Sequence, residues 1–381
     1  MRRSPLAALA AAIVYGASCL LDAPDAVPWG MGVEYAAMSE DPLGRVGDHP
    51  YRVLGPLLAW LLGLGGDRYW LFSHGCVVLV LSLVFVVALR DTRSPLRAFA
   101  VTSLWCATLA NQLFKGSVGY AEPLTFALML VSLLCAGRTW WFWLIQLLAL
   151  LNHEAIVFVW PWLLLEKRER AQVGAPDLVG AVVALGLYGA ARWWFTHDSG
   201  ASLQSVEWYW NSQTISLETI GMWALIVPYT LVAFGAQAAV VGWQWGEEGF
   251  RRGVLPSLVM LGAICAMLLL AVDLQRFICF LAFPITVGAI RIANTRHGPW
   301  VLLALAAATH FTIVVQTPYV LTILRTMHAV GADSVARFFP DVILRIWPIY
   351  LGYVLALAAL VAVGAWFGRR AHRAAASGRP T

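Results

Sequence analysis

The chain has 381 residues, 60% of them hydrophobic and 12% charged, with a mean hydropathy of +0.72. A soluble globular chain carries roughly twice that charged fraction, so soluble nucleotide-fold enzymes, secreted disulfide scaffolds and disordered tails are excluded. The net charge of +5 comes from arginines at the ends of apolar blocks rather than from a basic stripe, and no nucleic-acid partner is expected.

The apolar blocks have the length needed to cross a hydrocarbon core about 30 Å thick. They predict an all-α fold, a polytopic transmembrane bundle of about 10–12 membrane segments, forming one integral membrane domain over 1–381. Arg2 and Arg3 precede an apolar run at 5–21, which reads as an uncleaved first helix rather than a signal peptide. Residues 22–68 then form a long first loop with interfacial segments. Its apolar part, 53–66, carries Pro56 and is too short to cross comfortably. Spans are predicted at 69–89, 97–114, 121–137, 176–195, 217–243, 254–272, 277–293, 299–316 and 346–367. The six cysteines lie inside apolar blocks and read as small core residues.

Basic clusters set the orientation. Arg90 with Arg93 and Arg97, the run Glu166-Lys167-Arg168-Glu169-Arg170, Arg251 with Arg252, and the basic tail 368–381 belong in the cytoplasm, as do both termini. This holds along the chain only if 139–165 does not cross. That stretch has Asn152-His153-Glu154 at its middle, and two half-helices meeting there restore the parity of all later loops. A re-entrant hairpin is therefore expected, its polar apex buried in protein or lining a wet cavity. The long loops then face outward, in a bacterium toward the periplasm or exterior of the cytoplasmic membrane.

The first loop holds six acids against two arginines. Glu34, Glu40 and Asp41 lie in the amphipathic stretch Val-Glu-Tyr-Ala-Ala-Met-Ser-Glu-Asp. One of them could act as general base on a hydroxyl, or two could share a divalent cation such as Mg or Mn. Next come His49, Pro50, Tyr51 and Arg52. An arginine here either snorkels to headgroups or binds phosphate through its planar fork. Glu122 opens a span, either as a helix-start carboxylate or at a cavity rim with Lys115 and Tyr120. Asn152, His153 and Glu154 are either a satisfied polar contact or part of the cavity, and their spacing does not give a zinc motif. Asp273 and Arg276 form a tight turn or a site for the phosphate of a lipid-borne donor. Arg192, between apolar residues and Trp193-Trp194, reads as an interfacial anchor. Trp208, Tyr209 and Trp210 could stack on a sugar.

The run Pro-Tyr-Arg-Val-Leu-Gly-Pro-Leu-Leu-Ala at 50–59, followed by Gly-Tyr-Ala-Glu-Pro at 119–123, resembles bacterial GT-C-type integral membrane glycosyltransferases. That superfamily includes polyprenyl-phosphate-mannose-dependent enzymes. The likeness is clearest over about residues 30–165 and is one of span pattern elsewhere. It implies an outward active site, a lipid-linked sugar donor, a glycan, lipid or protein acceptor, and inverting transfer to a hydroxyl. The family often has an Asp before the loop tyrosine; here Glu34 precedes Tyr35. The resemblance makes Glu34 or Asp41 the base, with Glu40 in reserve. Arg52 and Arg276 become phosphate ligands, and Glu122, His153 and Glu154 polar support. A secondary transporter with an intramembrane polar pathway, or a polysaccharide polymerase or ligase, is the competing expectation.

Overall fold

The computed structural model describes residues 4–21, 24–28, 30–44, 47, 49–116, 118–197, 226, 230–231, 233–268, 274–310 and 344–376. Every regular element among them is helical. Five stretches are long and apolar enough to cross a membrane: Gly66–Thr92, Ala175–Thr196, Gly235–Leu268, Arg276–Ala293 and Leu351–Arg373. This is the make-up of a multi-pass membrane protein. All six cysteines are free. The chain divides into two compact units, Met1–Arg90 with Asn111–Trp210, and Asp91–Ala110 with Asn211–Thr381.

The first unit is built from α1 (Ser4–Leu21), α2 (Met31–Met38), α3 (Leu54–Leu61) and α4 (Tyr69–Thr92). After α5 (Pro95–Cys106), which belongs to the second unit, it continues with α6 (Leu109–Gly116), α7 (Glu122–Leu134), α8 (Thr139–Asn152), α9 (Ile156–Arg170) and α10 (Ala175–Thr196). The single span expected at 97–114 is two helices instead. The chain breaks at Ala107–Thr108, where the buried Thr108 hydroxyl donates to the Trp105 carbonyl at 2.7 Å and takes up a group the helix releases.

Helices α8 and α9 fold back on one another. Thr139 at the start of α8 accepts a hydrogen bond from Lys167 near the end of α9 at 2.9 Å, and the rings of Trp143 and Trp160 meet edge to face at 5.0 Å. At 1.5 Å per residue each arm is about 21–22 Å long, short of the ~30 Å core. The open end of the hairpin is closed by a buried cluster. Lys167 pairs with Asp177 at the start of α10, Trp143 donates its indole N–H to the same carboxylate at 3.1 Å, and the Gly174 N–H donates to Asp177 at 3.1 Å. At that same end Arg90, closing α4, donates to the Leu133 carbonyl of α7 at 3.3 Å.

The second unit contains α5, α11 (Ala238–Gly249), α12 (Leu255–Leu268), α13 (Ala282–Ala293), α14 (Gly298–His310) and α15 (Leu344–Ala376). Between α11 and α12 the chain turns sharply through Phe250–Val254: Gly249 takes φ 68°, and Gly253 packs against the Gln244 carbonyl. Helices α11 and α15 touch backbone to backbone. Gly242 and Gly246 face Val361 and Ala365, while Gly364 and Gly368 face Ala239 and Trp243. A methyl group at any of the four glycines would overlap a carbonyl oxygen. Lipid tails give helices no hydrophobic reason to associate, so close approach of small residues holds such pairs together. Polar contacts help: Gln244 lies over Gly288 of α13 and donates to the Pro284 carbonyl at 3.3 Å.

Candidate functional site

The polar apex of the α8–α9 hairpin organises the first unit. His153 leaves the helix in an extended conformation (φ −160°, ψ 116°), and its Nδ1 accepts the Ala155 N–H at 3.2 Å, starting the return arm. With Nδ1 accepting, a neutral ring carries its proton on Nε2, which faces the Glu122 carboxylate at 3.3 Å. Asn152 donates to the Ala121 carbonyl at 2.7 Å and to Thr125 at 2.8 Å. The apex is thus stapled to the first turn of α7, which Glu122 and Pro123 begin. Asn152, His153 and Glu122 are all buried, and polar groups at such depth persist only when satisfied this way.

Arg52 reaches the apex from the first loop. A turn closed by the Arg52 N–H on the His49 carbonyl (3.0 Å) delivers it just ahead of α3. Its side chain is 7% exposed. Nε donates to Glu154 Oε2 at 2.8 Å, Nη2 pairs with the other Glu154 oxygen, and Nη1 donates to the Tyr35 hydroxyl of α2 at 2.9 Å. The two-pronged face of Arg52 is therefore filled by Glu154, whose side chain remains 30% exposed.

Around this pair stand His49, Tyr51, Tyr188 and Arg192. The rings of His49 and Tyr51 meet edge to face at 5.9 Å. Burial, with Arg52 nearby, lowers the His49 pKa from 6.5 to about 4. Tyr51 is flanked by two guanidiniums, with Arg192 Cζ 4.3 Å and Arg52 Cζ 6.0 Å from its ring centre. Arg192 also donates to the Tyr188 hydroxyl at 3.4 Å. From sequence Arg192 was expected to be an anchor only. The available signal was its place one helical turn after Tyr188, near the end of a span.

The other predicted residues make the following contacts. The Glu34 carboxylate packs beside Gly47, and Tyr35, one position on, carries the contact to Arg52. Glu40 is exposed and lies against Gly66, next to the Ser39 hydroxyl that accepts the Gly66 N–H at 2.9 Å. Asp41 is exposed and folds over Gly44 in its own turn. Lys115 is buried with its ammonium on the Ser18 carbonyl at 3.1 Å, tying α6 to α1. The Tyr120 hydroxyl lies over Gly30. Arg276 belongs to the second unit, in the short helix Leu274–Ile278. Asp273, Trp208, Tyr209 and Trp210 are outside the described residues. Among the described residues no group of three or more His, Cys, Asp or Glu side chains is placed to hold a metal ion.

The first unit thus brings Arg52, Glu154, Glu122, His153, Asn152, His49 and Tyr51 into one polar cluster at one end of the hairpin, and adds Arg192 and Tyr188. No family model matches this chain, and neither curated proteins nor solved structures match it.

Proposed function

We propose that this chain is a membrane glycosyltransferase that moves a sugar from a polyprenyl-phosphate carrier to an acceptor hydroxyl, with inversion, at the outer face of the cytoplasmic membrane. The observation that carries the reading is the meeting of Arg52, Arg192 and the part-exposed Glu154 at the hairpin apex, from three distant parts of the chain. Cations that can hold a departing phosphate, with a carboxylate beside them, are what glycosyl transfer from a lipid phosphate needs.

Sidedness supports it. Lys167, Arg168 and Arg170 end α9 at the open end of the hairpin, and Arg90 closes α4 there. Along α10 from Asp177 to Arg192 is fifteen residues, about 22 Å, from that end to the cluster. The positive-inside rule puts the basic end in the cytoplasm, so the cluster faces outward.

In the reaction, the bond from the anomeric carbon to the phosphate oxygen breaks as the acceptor oxygen bonds to the opposite face of that carbon. The acceptor's proton passes to a carboxylate, and the phosphate leaves as the polyprenyl monoester. Glu154, whose side chain is 30% exposed, is the part-exposed partner of Arg52, and we assign it the base. Glu34, Glu40 and Asp41, which the sequence nominated, sit on neighbouring turns. Positioned proton transfer contributes typically 10²–10⁴-fold.

The test incubates the purified full chain with polyprenyl-phosphate sugars and follows release of polyprenyl phosphate. Release should be lost in Glu154→Gln and Arg52→Gln, with the thermal unfolding of each variant checked separately. Release that survives both changes refutes the site. Coupled solute flux in liposomes, with no release from any donor, points to a transporter.

A further inference from the structure

Arg192 is held by two tyrosines rather than by a salt bridge. Its contacts are one long hydrogen bond to the Tyr188 hydroxyl and the face of Tyr51, and among the described residues it forms no salt bridge. A guanidinium has five donors, so most remain available. The carboxylate nearest to hand, Glu154, is already held by both prongs of Arg52. Two cations therefore share one tyrosine ring while Glu154 is directly paired with only one of them.

The depth of Arg192 indicates what would answer it. The residue lies four positions before the end of α10 at Thr196, about 6 Å along the axis. Trp193 and Trp194 beside it are 63% and 59% exposed, as in the aromatic belt at headgroup level. Earlier in the helix Leu178, Val182, Leu185 and Leu187 are exposed, the apolar surface of a helix that borders lipid. An anion reaching Arg192 from this side is the phosphate of a lipid.

We propose that Arg192, with Tyr51 and Tyr188, is a lipid-side phosphate subsite, where a lipid-borne phosphate first binds before displacing Glu154 from Arg52. This rests on the transferase reading for its purpose, but its chemistry stands apart from it. Arg52 cannot present its fork to phosphate while Glu154 fills it. A phosphate seated on Arg192 competes for that fork through equally planar two-pronged pairing. The exchange frees the Glu154 carboxylate at the moment the donor is in place.

The test is equilibrium binding of farnesyl phosphate to the full chain in detergent, with farnesol and inorganic phosphate as parallel arms. Farnesyl phosphate should bind at least about tenfold more tightly than either, the size of one charge-assisted contact. Arg192→Gln should weaken farnesyl phosphate by about tenfold or more and leave farnesol unchanged. Arg192→Lys keeps the charge without the planar stack and should recover only part; it carries the test if the Gln variant does not fold. Glu154→Gln should tighten farnesyl phosphate binding, because the competitor for Arg52 is weakened, while abolishing transfer. A merely structural Glu154 would not give that split. Unchanged farnesyl phosphate affinity in both Arg192 variants overturns the subsite. Inorganic phosphate binding as tightly as farnesyl phosphate overturns its lipid source, and weaker binding in Glu154→Gln overturns the exchange. Binding that follows these expectations without any sugar transfer would keep the subsite and reject the transferase. Transfer with an indifferent Arg192 would do the reverse.

Discussion

Replacing Arg52 and Glu154, singly and together, should show that the first loop and the hairpin apex are energetically one structure. Arg52→Gln removes both prongs from Glu154 and the donor to Tyr35. Glu154→Gln leaves the buried Arg52 side chain with Tyr35 and a neutral amide. Breaking a fully buried pair costs about 3–5 kcal/mol, and a fully exposed pair is worth about 0–1. Arg52 lies at the buried limit but the Glu154 side chain is 30% exposed, so a coupling energy of about 2 kcal/mol is expected between those limits. A double-mutant cycle on chaotrope unfolding in detergent measures it, since the cycle cancels what each change does alone. The double variant should then be less destabilised than the sum of the singles by that amount. Additive effects within about 0.5 kcal/mol would mean that the pair is not formed in the folded protein, and the account of the site would lose its centre.

His49 should make stability depend on pH. Its pKa is lowered from 6.5 to about 4 in the folded protein, so between those values the unfolded chain binds the extra proton. Its contribution is therefore full above about pH 6.5 and is lost as pH falls toward 4, by up to about 1.4 kcal/mol per pH unit. Unfolding midpoints from pH 7 to 4 should fall more steeply in the parent than in His49→Gln, and parallel curves would refute this. In the second unit, Gly242→Ala and Gly364→Ala each force a methyl group onto a carbonyl of the facing helix. Each should cost about 1–3 kcal/mol, whereas Gly262→Ala, with open space around it, should not; equal unfolding curves for all three would refute the tight pairing of α11 and α15. Asp41→Asn and Glu40→Gln alter exposed carboxylates on their own turns, and both should keep polyprenyl phosphate release within about twofold, well short of the 10²–10⁴ of a lost base. A collapse of release in either would move the base back into the first loop.

What the sequence made legible was polarity out of place. Asn152, His153 and Glu154 stand out because apolar residues surround them, and the cost of burying them unsatisfied demands partners. Glu122 stands out on the same ground and Arg52 as a cation at the start of an apolar segment, and the structure brings all of these side chains into one neighbourhood. Pairing was not legible. Nothing in the spacing says that Glu154 rather than Glu34 meets Arg52, because that depends on how the short helices α2 and α3 turn their faces. The contact of Lys115 with a carbonyl of α1 is likewise a partner that composition does not reveal. Arg192 reads as an anchor because two tryptophans stand beside it, yet an anchoring position and a binding position have the same sequence signature.

The break in 139–165 has one cause for both its geometry and its chemistry. A continuous helix of that length would bury Asn152, His153 and Glu154 against lipid or apolar neighbours, at roughly 2.5–3.5 kcal/mol for a charged group on insertion scales. Folding back at His153 gives each polar group a partner: Ala121 and Thr125 for Asn152, Glu122 for His153, Arg52 for Glu154. Lys167, Asp177 and Trp143 lock the opposite end, so the turn cannot straighten without unpairing a buried lysine. Two short arms also set the depth. In the topology of the proposed transferase, the apex would be held one arm's length, about 21 Å, from the basic end, on the side from which a lipid-linked donor presents its phosphate. On the proposed reading, the residues that forbid a simple crossing are thus the ones that bring a charged cluster within reach of a lipid phosphate.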